Sequence, residues 1–368
     1  MRAAVTTVVR DASHLGGGMM SVANSLHAGL LSEGVAAHFV SGNSITNAAA
    51  GIHDVGFSGQ RLRQLPASVM NSVVHIHGLW TPFEYRAFRE ARRRGAAIVM
   101  SPHGTLEPWA FDHKWVKKRT AWWLYQRRTM QAADLLVVNS EQESARLREL
   151  GLTPPIAIIP NGVDLQGFSA ELANKKRERT ILFFSRIDPK KGIPDLLAAW
   201  QSLSDHKGYR LHICGHGEAA YVAGIQKQIE SLGLANVVLL PPVFGPRRWD
   251  VFASASVYVL PSYSENFGIT VAEALSAGLP VITTRATPWS SLPGEGVGWI
   301  IGNDVAELAS ALRAAMDVEP VALSRMRLKA MEYAGRRFGW DAIARQYIET
   351  YNWIAAPETA APSWVISD

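Results

Sequence analysis

The sequence predicts an α/β protein made of two parallel sheets, and three observations carry that expectation. Short apolar runs alternate with helical patterns along most of the 368 residues, which is the mark of repeated βα units. At the usual ~150 residues per domain, that length makes two domains, each able to bury its own core. Hydrophobic residues make up 48% and charged residues 19% of the chain, and the 30 glycines and 19 prolines are dispersed. A disordered or fibrous chain is therefore excluded, and a soluble globular protein is expected.

Taken in order, the expected strands of the first half are Ala3 to Val9, Ala36 to Val40, Val73 to Ile76, Ala97 to Met100, Leu135 to Val138 and Ile156 to Ile159. Those of the second half are Thr180 to Phe184, Arg210 to Ile213, Val237 to Leu240, Val257 to Leu260, Pro280 to Thr284 and Gly298 to Ile301. Two sheets of about six strands follow. Between them lie the turn-rich stretch Pro160 to Phe168 and the charge-dense run Asn174 to Arg179, which place the boundary near residue 170. Helices are expected over Val305 to Met316, Pro320 to Arg337 and Trp340 to Ile354, with the final dozen residues as a tail.

Charge and cysteine usage narrow the setting. Cys214 is the single cysteine, so an internal disulfide is excluded and a reducing, cytoplasmic compartment is expected. The first nine residues are too short an apolar run for a signal segment and read as the first strand. No apolar stretch reaches the roughly 18 residues that a membrane-spanning helix needs. The formal charge of +5 is concentrated. Residues 112–128 hold Lys114, Lys117, Lys118, Arg119, Arg127 and Arg128 against one acid, with Trp115, Trp122, Trp123 and Tyr125 interleaved. Residues 113–130 are therefore expected to meet an anionic membrane surface at the inner face of the cytoplasmic membrane, with a solvated helix as the alternative.

Ligands of open parallel sheets bind beyond the carboxyl ends of the strands, so the loops there hold the candidate site. The first strand leads to Gly16, Gly17 and Gly18, whose amides can approach a phosphate closely. The fourth ends at His103-Gly104, and His75 and His77 lie on the strand before it. These three histidines raise a metal site, but no carboxylate or thiolate accompanies them, and none is expected. After Thr180 to Phe184 come Arg186 and Lys191, suited to clamp a diphosphate. Gly215 and Gly217 form a G-x-G-x-x-A after a strand. A nicotinamide site would also want an acid at the end of the next strand, which ends Leu239-Leu240-Pro241-Pro242 instead. They are read as permitting close approach of the backbone to a nucleotide.

The densest pattern runs from Pro261 to Pro280. A short helix is expected from about Ile269, its free amides, with Asn266, Phe267 and Gly268 leading in, forming an anion site. Glu265 precedes it and Glu273 lies one turn in. Carboxylates beside bound phosphate make sense as grips for hydroxyls, ribose on one side and a sugar on the other.

In these motifs the chain resembles a retaining family-four glycosyltransferase of GT-B architecture, over nearly its whole length. The carriers are HIHGLW (75–80), SPHGTL (101–106), VVNSEQE (137–143), IPNGVD (159–164), SRIDPKKG (185–192), CGHGE (214–218) and the E-x7-E motif of Glu265 and Glu273. Pro288-Trp289 and Gly298-Trp299 resemble bacterial members that build polysaccharides and O-antigens. The resemblance implies two Rossmann-like domains facing a central cleft: residues 1–168 on the acceptor side, 169–338 binding the nucleotide sugar, and 339–368 crossing back to the first. It implies that Glu273 holds the ribose, that Glu265 contacts the transferred sugar, and that Arg186 and Lys191 neutralise the diphosphate. The amides of Phe267 to Ile269 would add donors, Gly17 or Gly18 would close over the diphosphate, and His103 would sit at the donor sugar. The reaction would need no cofactor or metal, and there is no D-x-D triplet to hold one. The partners implied are a nucleotide-diphosphate sugar and a glycan or polyprenyl-linked glycan, with no nucleic acid. A GT-B-fold nucleotide-sugar epimerase and a non-catalytic sugar-nucleotide binder are the alternatives.

Overall fold

The computed structural model describes residues 3–11, 17–43, 51–108 and 115–367. The strands in chain order are β1 (Val5–Val9), β2 (Ala37–Ser41), β3 (Ile52–Asp54), β4 (Val73–His77), β5 (Ala97–Ser101), β6 (Leu135–Val138) and β7 (Ile156–Ile158). They continue with β8 (Thr180–Phe184), β9 (Arg210–Cys214), β10 (Val237–Leu240), β11 (Val257–Leu260), β12 (Val281–Thr284), β13 (Gly298–Ile301) and β14 (Val365–Ile366). Two compact units result, residues 1–162 with 338–368, and residues 163–337.

In the first unit an eight-stranded sheet runs β14-β7-β6-β5-β4-β1-β2-β3, parallel except where β14 meets β7. In the second, six parallel strands run β10-β9-β8-β11-β12-β13. Every residue of β1, β4 and β8 is buried, because helices cover both faces of such sheets and the strands must be apolar on both sides. The expected strands agree with these within two residues.

The first sheet is larger than expected by β3 and β14. The former is three residues, Ile52-His53-Asp54, and carries no apolar run to reveal it. The latter corrects the reading of the last dozen residues as a tail. Val365 pairs with Ala157, the Trp364 carbonyl accepts from the Ile158 amide at 2.9 Å, and Trp364 Nε1 donates to Thr350 Oγ1 at 2.9 Å. A half-buried indole anchor and two ladder residues hold the segment where no periodicity could announce it.

The helix Trp340–Ala355 belongs to the first unit. Its Ile343, Tyr347, Ile348 and Tyr351 share one face and lie in the same apolar cluster as Val5, Leu26, Val73, Leu135 and Ile159. Gly162, where the chain leaves that unit, faces Trp340 so closely that a Cβ would stand 2.5 Å from the indole.

Both sheets have a point where the strand order reverses, between β1 and β4 in the first and between β8 and β11 in the second. Loops leave such a point in opposite directions and open a crevice at the carboxyl ends. The loops after β8 and β11 carry the residues that the sequence singled out.

Candidate functional site

After β8 the chain makes a tight turn. Asp188 caps Pro189–Lys191 by accepting from the Lys190 amide at 3.0 Å, and Gly192 follows with φ +67°. A Cβ on Gly192 would stand 2.2 Å from the Pro261 carbonyl oxygen, so glycine lets the β8 and β11 loops touch. That contact delivers Lys191 Nζ to within 2.5 Å of Glu265 Oε1, and Ser262 Oγ donates to the same oxygen at 2.7 Å. Lys191 and Glu265 side chains are each 10% exposed.

Gly268 takes φ +73° and starts the helix Ile269–Ser276, whose first amides have no acceptor within the helix. Trp289 Nε1 donates to the Phe267 carbonyl at 2.5 Å and its ring packs 5.2 Å from Phe267, which fixes the approach to the helix. The helix is further pinned where Tyr258 OH and Thr270 Oγ1 share a hydrogen bond of 2.7 Å, the phenol donating to the Phe184 carbonyl at 2.9 Å. Asn266 sits half-buried between Glu265 and this turn.

One turn in, Glu273 Oε1 accepts from Arg248 Nε at 2.8 Å. Arg248 also donates to the carbonyls of Asp164 at 2.7 Å and Gly245 at 2.9 Å, and its guanidinium lies 4.7 Å from the Trp249 ring centre. Burial pushes the Glu273 carboxyl up to about 7, outweighing the opposite pull of Arg248, with Asp164 adding to the rise. Sequence reasoning missed Arg248. The available signal was a pair of arginines in the loop after β10, where an acid had been sought and not found.

Arg186 follows the same strand as Lys191, its side chain 62% exposed and its Nε 4.0 Å from Asp188 Oδ2. Gly215 and Gly217 make room for the neighbouring loop. A Cβ on Gly215 would lie 1.8 Å from the Ser185 carbonyl oxygen, and one on Gly217 2.2 Å from that of Ile187. Ile187 and Gly217 are bridge partners, and the Ile187 amide donates to the His216 carbonyl at 2.7 Å. The glycines therefore let β8 and β9 run side by side past their formal ends, and so set the position of Arg186.

In the first unit, β4 and β5 bring His77 and His103 together. His77 Nδ1 and His103 Nε2 share a hydrogen bond of 2.9 Å, and the rings stack. His103 takes φ +51°, unusual for a residue with a side chain and a common mark of functional turns. Glu143 supports this turn, one carboxylate oxygen accepting from the Gly104 amide at 2.5 Å and the other from the Asn139 amide at 3.1 Å. Burial lowers His103 to about 4 and His75 to about 3, so both rings are neutral at pH 7. His75 bridges Tyr351 OH at 2.6 Å and Ser101 Oγ at 2.7 Å, the role of a satisfied core histidine. Among the described residues, no group of three or more His, Cys, Asp or Glu is placed to hold a metal ion. Gly17 and Gly18 are the first residues of the helix Gly17–Ser32, with open space where a Gly18 Cβ would stand. Gly16 lies outside the described residues.

Of residues 113–130, His113 and Lys114 lie outside the described residues, as does the Trp115 side chain. The rest is a helix, Trp115–Ala121, a π-helical turn, Trp122–Gln126, and a further helix, Arg127–Gln131. Trp122 is 5% exposed and packs 6.4 Å from Trp80, which removes it from any outward face. Trp123 and Leu124 are 69% and 68% exposed, and Val116 is exposed as well. No helix of the described residues is long and apolar enough to cross a membrane.

Comparison with known proteins places both halves. Residues 16–166 match the model for "Glycosyltransferase Family 4" and residues 166–337 that for "Glycosyl transferases group 1". A GDP-mannose:cellobiosyl-diphosphopolyprenol alpha-mannosyltransferase from Xanthomonas oryzae is 28% identical over 82% of this chain and 80% of its own. Among solved structures, sucrose-phosphate synthase from Thermosynechococcus elongatus superposes with a TM-score of 0.79 at 19% identity, covering 97% of this chain and all of that one. Anabaena HepE, solved in complex with UDP and glucose, gives 0.74 at 19% identity, covering 95% and 99%. These likenesses establish the GT-B fold.

Proposed function

Because the chain belongs to glycosyltransferase family 4, we propose that it moves a hexosyl group from a nucleoside-diphosphate sugar to a polyprenyl-diphosphate-linked glycan, with retention at the anomeric carbon and without a metal. The observation that carries this reading is the pairing of Lys191 with Glu265 at the reversal of the second sheet, just ahead of the helix that carries Glu273 one turn in. A diphosphate entering there finds an ammonium, the first amides of the helix Ile269–Ser276 and, on a mobile-length side chain at the mouth, Arg186. These fixed positive ends stabilise the charge that grows on the leaving group, and they supply what a divalent ion would otherwise supply.

As Lys191 turns to the diphosphate, the Glu265 carboxylate is freed to accept from sugar hydroxyls, and Glu273 accepts from the ribose. Neutral His103, its ring orientation set by His77 and its turn by Glu143, serves in this reading as a hydrogen-bonding group for the donor sugar. In this reading no carboxylate attacks. The bond from the anomeric carbon to the diphosphate oxygen breaks while the acceptor oxygen bonds to the same face, and the acceptor proton passes to the departing diphosphate oxygen. The products are the lengthened glycan and the nucleoside diphosphate.

A polyprenyl-linked acceptor lies at a membrane. Val116, Trp123 and Leu124 are exposed alongside Lys117, Arg119, Arg127 and Arg128, a combination suited to the headgroup layer of an anionic leaflet. The Xanthomonas relative is named for a GDP-mannose donor and a diphosphopolyprenol acceptor, and the Anabaena neighbour holds UDP. GDP-, UDP- and ADP-sugars are therefore the donors to screen, with nucleoside diphosphate release measured with and without a polyprenyl-diphosphate glycan. Acceptor-dependent release, unchanged after exhaustive EDTA treatment and giving an axial or equatorial product linkage that matches the donor anomer by NMR, is the expected result. Binding without release would instead mark a sugar-nucleotide binder, and conversion of the donor sugar without transfer an epimerase.

A further inference from the structure

The amino ends of β8, β9 and β11 border a cavity of about 600 Å³, at the edge of the second sheet away from Lys191, Glu265 and Glu273. Six cations line it: Lys175, Lys176, Arg177, Arg179, Lys207 and Arg327. The two acids there, Asp317 and Glu319, lie towards Lys207, which pairs with Asp317 and is raised by both. Arg177 and Arg327 have no such relief. Arg177 donates to the carbonyls of Phe252 at 2.8 Å and Ala277 at 2.7 Å, and Arg327 to that of Ala173 at 3.2 Å. In both guanidiniums Nε is buried and lacks an acceptor. Burial and the nearness of Arg327 pull Arg177 down to about 10, and burial also lowers Arg327.

Two half-buried cations that disfavour each other at one cavity are an unfavourable arrangement unless an anion meets them. Two guanidiniums lining one cavity suit a tetrahedral oxyanion, and the exposed Lys175 and Lys176 draw charge in from solution. The cavity exceeds what bare phosphate fills, and Tyr209, Met316 and Leu323 offer apolar wall to an organic body. We propose that this cavity is a second ligand site, which binds the phosphoryl group of a small phosphorylated metabolite of sugar-phosphate size through Arg177 and Arg327. Its occupant touches the residue that closes the carboxyl ends of two helices, Arg248–Ser254, which starts at Arg248, and Ile269–Ser276, which carries Glu273 one turn in.

The site stands whether or not the donor reading does, and calorimetry on the full chain tests it with two probes, inorganic phosphate and glucose 6-phosphate. Both are expected to bind, glucose 6-phosphate the tighter. Arg327→Gln should weaken both roughly tenfold, as loss of one charge-assisted donor does. Lys175→Gln with Lys176→Gln, two exposed positions whose change leaves the fold intact, should weaken both severalfold. Glu273→Ala should leave both unchanged. Equal affinity in the lysine double variant and wild type, or loss of binding in Glu273→Ala, would overturn the proposal. Equal affinity for the two probes would overturn the organic body.

Discussion

Lys191 Nζ and Glu265 Oε1 stand 2.5 Å apart although 74 residues separate them in sequence, because Gly192 lets the loops after β8 and β11 touch. Removing one partner strands the other in a sheltered place. Lys191→Met is therefore expected to destabilise the chain by about 3 kcal/mol in a urea titration, and Glu265→Gln added to it to recover most of that loss. Activity should not recover with stability: under the proposed reaction the leaving diphosphate loses its ammonium, and kcat/KM falls by roughly 10²-fold or more in both. Recovery of turnover in the double variant would show that the pair serves folding alone.

The Glu273 carboxyl, raised to about 7, gives the site a pH signature. A folded-state value above the unfolded one near 4.3 means that its contribution to stability is full below about pH 4.3 and declines as pH rises through 7. The charge that forms over that range is the acceptor that the proposed ribose contact needs. Nucleoside diphosphate affinity is expected to tighten between pH 6 and pH 8 while the unliganded chain loses stability. Glu273→Gln should bind more weakly at pH 8 and show neither trend. Calorimetry and melting at three pH values measure both, and an affinity that is flat with pH in the wild type would remove Glu273 from the ribose.

Gly215 is required by its neighbour. A methyl group there would have to displace the Ser185 carbonyl by more than an ångström. Gly215→Ala is thus expected to destabilise by about 1–3 kcal/mol, the range for overpacked sites, and to raise the donor KM by shifting the loop that carries Arg186 and Lys191. Gly224→Ala, at a helical position with open space, is the control and should change neither. Unaltered melting of Gly215→Ala would mean that the two loops can part at no cost.

The strands and long helices were legible because each carries its own period, as Val5–Val9 and Trp340–Ala355 do. The carboxyl-end rule then led to Lys191, Glu265, Glu273 and His103 without any contact being known. What stayed hidden has no local signal. The β14 pairing depends on one indole reaching Thr350, and Ile52–Asp54 is a strand only because Phe39 to Ser41 lie beside it. The Arg248 role depends on a helix bringing it under Glu273. The glycines at 215 and 217 read the same whether a phosphate or a carbonyl comes near them, so only geometry could tell which.

The exposed stripe of residues 116–128 yields the last expectation. On a helix, Val116, Thr120, Trp123, Leu124 and Arg127 fall at spacings of three and four, so they share a face despite the π-helical turn. Trp123 and Leu124 are over two-thirds exposed there, and the Arg127 guanidinium lies 5.9 Å from the Trp123 ring centre. Each basic residue near an anionic leaflet contributes about 1 kcal/mol, and the attraction fades within a Debye length of about 8 Å at physiological salt. The protein is expected to sediment with vesicles rich in phosphatidylglycerol at low salt, to remain in solution with neutral vesicles, and to be released as salt rises. Changing Lys117, Arg127 and Arg128 together to Ser should abolish the salt-sensitive part. Trp123→Ser with Leu124→Ser should weaken what is left, whereas Trp122→Phe, at a buried position, should alter melting rather than vesicle binding. If the wild type stays in the supernatant with anionic vesicles at low salt, the stripe does not meet a membrane, and a soluble glycan replaces the lipid-linked one as the acceptor to seek.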